Sequence, residues 1–256
     1  MVDIWTVVVV TTLAGAATGL GATPLIFRAR VSHRVYDAAL GLAAGIMFAA
    51  SVFGLIIPGL EEGTLTSVLL GVFIGGFSLL GANRVIPHLH TRYTGLHTHG
   101  PTADNQTDEP FRRAILIGSA ITLHNAPEGL AIGVAFAAGL EDVAMLLAVV
   151  IAIQNVPDGF AFAVPMGETG MPTWKVLILT TLSGVVPEVV AAVFGFTLVM
   201  IAAGLFPLAA GFAAGAMLAV IFREMVPSSH GHGYADEATA AFLVGFSLLI
   251  LVDVGL

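Results

Sequence analysis

Leu123-His124-Asn125-Ala126-Pro127-Glu128-Gly129 and Ile153-Gln154-Asn155-Val156-Pro157-Asp158-Gly159 each interrupt the middle of a long apolar run, and both follow the pattern x-Asn-x-Pro-acid-Gly. In a bilayer an ionisable side chain costs about 2.5 to 3.5 kcal/mol on insertion scales. Two acids, a histidine and three amides at one depth therefore need a compensating partner, and a metal ion suits all of them.

On a helix, residues four apart share a face. His124 and Glu128 look one way, as do Gln154 and Asp158, while Asn125 and Asn155 lie about 100° further round. If the two helices face each other, His124, Glu128, Gln154 and Asp158 hold one ion. Asn125 and Asn155, with the same acids, hold a second beside it. Pro127 and Pro157 have no N–H to give the carbonyls of Leu123 and Ile153, so backbone oxygen is freed at the same depth. Glu188, in Ser183-Gly184-Val185-Val186-Pro187-Glu188, is a third acid beside a proline and a candidate ligand for the second ion. Met47 is a candidate soft ligand for the first, with core filling as the plain alternative. The structural alternative for the whole stretch is a Pro-Gly hinge whose acids are protonated.

Outward from this centre the chain is 57% hydrophobic and 10% charged, with a mean hydropathy of +0.96. A soluble domain carries about a quarter charged residues, so an all-α integral membrane protein is expected, as a single domain over residues 1–256. The N-terminal run has no basic residues before it and is long enough to span, so it reads as a retained helix and not a cleaved signal. With no cysteine, any metal site must use histidine, carboxylate, amide or methionine. The net charge of −8 disfavours nucleic acid as a partner, and its acid-rich loops fit a salt-rich host. No Gly-x4-Gly-Lys-Ser/Thr run offers a nucleotide site.

Spans of about 20 apolar residues predict eight helices, at residues 4–27, 38–60, 65–86, 113–139, 143–165, 173–203, 206–227 and 235–254. All nine Lys and Arg residues fall in or beside the odd connections, while the even ones carry Glu61, Glu62, Glu141 and Asp142. The positive-inside rule then places the odd connections in the cytoplasm and both termini outside the cell membrane. The third connection, about 87–111, reads as a mobile cytoplasmic loop whose His88, His90, His97 and His99 either bind metal loosely or are simply solvated. His230 and His232 fall on the same side under the same two readings.

Gly41-Leu42-Ala43-Ala44-Gly45-Ile46-Met47-Phe48-Ala49 in the second span matches Gly211-Phe212-Ala213-Ala214-Gly215-Ala216-Met217-Leu218-Ala219 in the seventh. These spans cross in opposite directions, so the match predicts an inverted repeat of helices 1–3 and 6–8 around helices 4 and 5, a 3+2+3 arrangement.

The two polar insertions, and the eight spans that hold them, resemble the ZIP (Zrt/Irt-like) family of divalent metal transporters, in its prokaryotic GufA-like branch. The resemblance covers essentially the whole chain. It implies transport into the cytoplasm, homodimers, and two adjacent metals held by His124, Asn125, Glu128, Gln154, Asn155 and Asp158, with Glu188 and Met47. Many relatives have histidine or a carboxylate at the positions of Gln154 and Asn155, and glutamate at that of Asp158. This chain's donor set therefore implies a weaker second metal position.

Taken together, these observations point to a secondary transporter, and not an enzyme, moving Zn²⁺ first among divalent ions, with no catalytic cofactor. With one imidazole and mostly oxygen donors, a broader range of Fe²⁺, Mn²⁺, Co²⁺ and Cd²⁺ stays open. An intramembrane metallohydrolase is the enzymatic alternative, but His-Glu-x-x-His is absent. A proton-linked carrier of an organic solute, with Glu128 and Asp158 as relay, is the third reading.

Overall fold

The computed structural model describes residues 2–26, 32–93 and 108–255, and among these all regular structure is helical. Helices are forced on such apolar runs because hydrocarbon offers the backbone no other hydrogen-bond partner. The long helices are α1 (Ile4–Leu20), α2 (His33–Glu61), α3 (Leu65–Tyr93), α4 (Asp108–Ala137), α5 (Glu141–Glu168), α6 (Thr173–Ile201), α7 (Ala203–Ser229) and α8 (Ala235–Gly255). Helices α2, α3, α5, α6, α7 and α8 contain stretches long and apolar enough to cross a membrane, and α1 is a shorter apolar helix.

The helix ends differ from the apolar boundaries for local reasons. α1 stops at Leu20, short of the expected Phe27, because Pro24 has no N–H for the Leu20 carbonyl. Thr23 Oγ1 donates to that carbonyl instead, at 2.7 Å, and a short turn Thr23–Ile26 follows. α2 starts at His33, five residues before the apolar run, because Ser32 caps it by accepting from the Val35 N–H at 3.4 Å. α3 and α4 carry polar extensions to Tyr93 and from Asp108, so both ends of the expected 87–111 loop are helical, His88 and His90 included. The rest of that loop, with His97 and His99, lies outside the described residues.

α2 packs on α8, and α3 on α7, through glycine. A Cβ at Gly41 or Gly45 would strike the carbonyls of Ala238 and Phe242, and one at Gly211 or Gly215 those of Val68 and Val72. The matched motifs thus do one job twice, letting two backbones touch. α4 packs on α6, α1 on both α5 and α6, and α5 on α4; α2 reaches this group through α5, and α7 through α4. Trp5, Leu13, Phe73, Phe77, Phe194 and Leu251 stay exposed on outer faces, as bilayer-facing side chains do.

Two helices relax in their last third. α2 carries a π turn at Ala50–Ile56 and α7 one at Ile221–Met225, each just beyond a buried methionine, Met47 or Met217. The cause is proline. Pro58 and Pro227 cannot donate to the carbonyls four residues back, Gly54 and Arg223, and both carbonyls lie inside the widened turns.

Candidate metal centre

α4, α5 and α6 bring their interrupted middles together. His124, Asn125, Glu128, Gln154, Asn155, Asp158 and Glu188 are all buried. Each helix runs on through its proline, Pro127, Pro157 or Pro187, so the residues before and after stay in helical register. At Gly129 a side chain would meet the Glu188 backbone, so glycine sets how closely α4 approaches α6 here.

The amide nitrogens tie the helices to one another. Gln154 Nε2 donates to Glu128 Oε1 at 2.6 Å, joining α5 to α4. Asn155 Nδ2 donates to Glu188 Oε1 at 2.6 Å and to the Ala14 carbonyl at 2.9 Å, joining α5 to α6 and α1. Asn125 Nδ2 donates to the Ser183 carbonyl at 2.9 Å. That last bond has a cause in the sequence, since Ser183 lies four residues before Pro187 and its carbonyl has lost its helical N–H. The Asn125 side chain replaces the missing donor.

With the nitrogens so used, six buried oxygens are left without a hydrogen-bond partner: Asn125 Oδ1, Glu128 Oε2, Gln154 Oε1, Asn155 Oδ1, Asp158 Oδ2 and Glu188 Oε2. An unsatisfied buried polar group costs about 1 to 3 kcal/mol, more for a charged one. Carboxylates also crowd the region: Glu128 lies within electrostatic reach of Glu188 and Asp158, and Asp158 within reach of His124. A divalent cation relieves both costs, by accepting the lone pairs and offsetting the repulsion. Among the described residues no three His, Asp or Glu side chains stand as a ready-made cage.

His124 is held by a residue outside the candidate ligands, Glu224. Its Nε2 lies 2.5 Å from Glu224 Oε2, on the π turn of α7. The adjacent Arg223 suggested a local ion pair for Glu224. An acid inside an apolar run was the signal that it faces inward instead. Met47 is buried in α2 with its carbonyl accepting from Ser51 Oγ at 2.8 Å; among the described residues nothing joins its thioether to the polar set.

A second polar cluster was also missed. Asp37 on α2 is fully buried, and His232, from the connection between α7 and α8, places Nδ1 2.8 Å from its Oδ1. The His33 ring stacks on His232 at 4.3 Å, and Tyr36 meets it edge-on. His232 is thus exposed but paired with a buried acid, whereas His230 places Nδ1 2.9 Å from the Val226 carbonyl and Nε2 3.3 Å from Thr239 Oγ1.

Among the described residues, a helical bundle with apolar outer faces and a buried knot of lone pairs defines a multi-pass membrane protein with a polar centre. The family model described as "ZIP Zinc transporter" matches residues 95–253. The chain is 36% identical over 253 residues to "Zinc transporter GufA" of Myxococcus xanthus, covering 95% of this chain and 96% of that one. It is 38% identical to "Zinc transporter ZIPB" of Bordetella bronchiseptica, covering 94% and 78%. It is 32% identical to "Zinc transporter ZupT" of Corynebacterium glutamicum, covering 94% and 95%. The chain belongs to the ZIP family.

Proposed function

We propose that this protein is a secondary transporter carrying divalent transition-metal ions, Zn²⁺ first, across the cell membrane into the cytoplasm through a site between α4 and α5. The observation that carries the proposal is the set of six partnerless buried oxygens at the middle of those helices and α6. His124, Glu128, Gln154 and Asp158 hold one ion, and Asn125, Asn155 and Glu188 a weaker second, with Met47 as a soft donor approaching from α2. The relatives' names support zinc as cargo.

The same reading has all eight helices crossing, in an inverted 3+2+3 repeat with both termini outside. Packing supports it. Exchanging α1 with α6, α2 with α7, α3 with α8 and α4 with α5 turns the α2–α8 contact into α7–α3, α1–α5 into α6–α4 and α2–α5 into α7–α4, all of which occur. The paired glycine motifs and the paired π turns obey the same exchange.

The test is Zn²⁺ uptake into proteoliposomes. His124→Ala and Glu128→Ala are each expected to lower uptake by about a hundredfold or more, since even outer-shell partners of a metal ligand are worth 10- to 100-fold. Undiminished flux in both variants would reject the assignment.

A further inference from the structure

We infer that Glu224 is an internal counter-ligand: it holds His124 while no ion is bound, and an arriving ion must displace it. This rests on the transport site proposed above.

The Nε2 lone pair is what an imidazole presents to a metal when that nitrogen is the ligand atom. At 2.5 Å from Glu224 Oε2, this atom is engaged in a bond shorter than the 2.6 Å amide–carboxylate bonds beside it. Bonds of this kind with a charged partner are about twice as strong as neutral ones. Nε2 cannot hold that bond and a metal together, so the two are exclusive by chemistry. When the ion binds, the Nε2–metal bond forms, the contact with Oε2 breaks, and the proton between them stays with the Glu224 carboxyl.

Placement supports the role. His124 and Glu224 lie 100 residues apart on different helices, so their contact reports how α4 sits against α7. Glu224 rides on the π turn Ile221–Met225, where Pro227 has loosened the helix. Its side chain is 19% exposed against 8% for His124, and its neighbour Arg223 is exposed. Glu224 therefore stands at the edge of the knot, between the buried donors and the end of α7. It positions His124 and competes for it, and is not one of the six buried donors.

The experiment uses the full chain in detergent and two readouts. The first is Zn²⁺ affinity by competition with a chromophoric chelator. Losing a charge-assisted hydrogen bond that opposes binding is expected to tighten zinc binding about tenfold in Glu224→Ala. Glu224→Gln should tighten it less, and Glu224→Asp should restore wild-type affinity in part. A merely structural role would weaken binding in every variant. The second readout needs no metal. Carbethoxylation of His124 by diethyl pyrocarbonate, read by mass spectrometry in ion-free protein, is expected to rise severalfold in Glu224→Ala. Zinc affinity that is unchanged or weaker in a folded Glu224→Ala protein, or His124 reactivity that does not rise, overturns the inference. A wild-type protein that moves no zinc would instead overturn the transport reading, leaving His124 reactivity to judge the contact with Glu224.

Discussion

α2 with α8, and α3 with α7, meet backbone to backbone over glycine; α4 also approaches α6 over Gly129, but α4, α5 and α6 are joined in addition by amides and acids. The first kind of seam is dry, short-range and complete, because van der Waals packing without polar cost is what joins helices in lipid. The second is incomplete, since each of its bonds leaves an oxygen over. The glycine seams are packed without polar cost, while the polar knot is left under-satisfied, as the proposed ion site would require.

The largest expected effect tests the dry seams. Gly45→Leu drives a side chain into the Phe242 backbone, which cannot move aside as a flexible side chain would. The cost is about 3 kcal/mol or more, the upper end for overpacking, and should appear as a lower unfolding midpoint in detergent; an unchanged midpoint would break the comparison. Next is the Asn125 bond. Asn125→Ala leaves the Ser183 carbonyl bare and should cost about 1 to 3 kcal/mol. In a Pro187→Ala background the helix regains its own donor, and the same change should cost about 1 to 2 kcal/mol less. Equal costs in both backgrounds would show that the proline and the asparagine are unrelated.

Glu188→Gln separates the two kinds of seam by sign. The Asn155 bond keeps an acceptor while a buried acid is removed, so the melting temperature of the ion-free protein should hold or rise by a few degrees, about 2 to 4 °C per kcal/mol. The rise in melting temperature that zinc gives the wild type should shrink sharply. The smallest effect lies outside both seams. The Thr6 backbone and side chain donate to Asp3 Oδ1, both at 2.8 Å, and hold its carboxyl below the usual range. Because that shift is downward, the cap is intact above the ordinary carboxylate pKa and is lost as pH falls through the lowered value. Amide exchange in the first turn of α1, corrected for intrinsic pH dependence, should rise at acid pH, and Asp3→Asn should remove that dependence.

Much of this was legible because bilayer physics leaves few choices. Runs of apolar residues mark helices, and acids inside those runs mark the centre, so His124, Glu128, Asp158 and Glu188 stood out from the sequence alone. Amides gave less. Asn125 and Asn155 read as ligands by position, but that their nitrogens would be tied to Ser183 and Glu188 depends on which helix lies opposite. The π turns follow from Pro58 and Pro227, yet a proline near a helix end usually signals only an end. Glu224 escaped because its partner, His124, lies 100 residues away while Arg223 sits beside it, and Asp37 because His232 lies 195 residues further on.

The amide nitrogens of the central knot each give a hydrogen to a carbonyl or a carboxylate, while the oxygen of each of these amides is left bare. A chloride, sulfate or carboxylate arriving there would face six bare lone-pair oxygens, whatever its radius. On the transport reading proposed above, discrimination by sign comes before any discrimination by size, and choosing among cations of like charge falls first to His124.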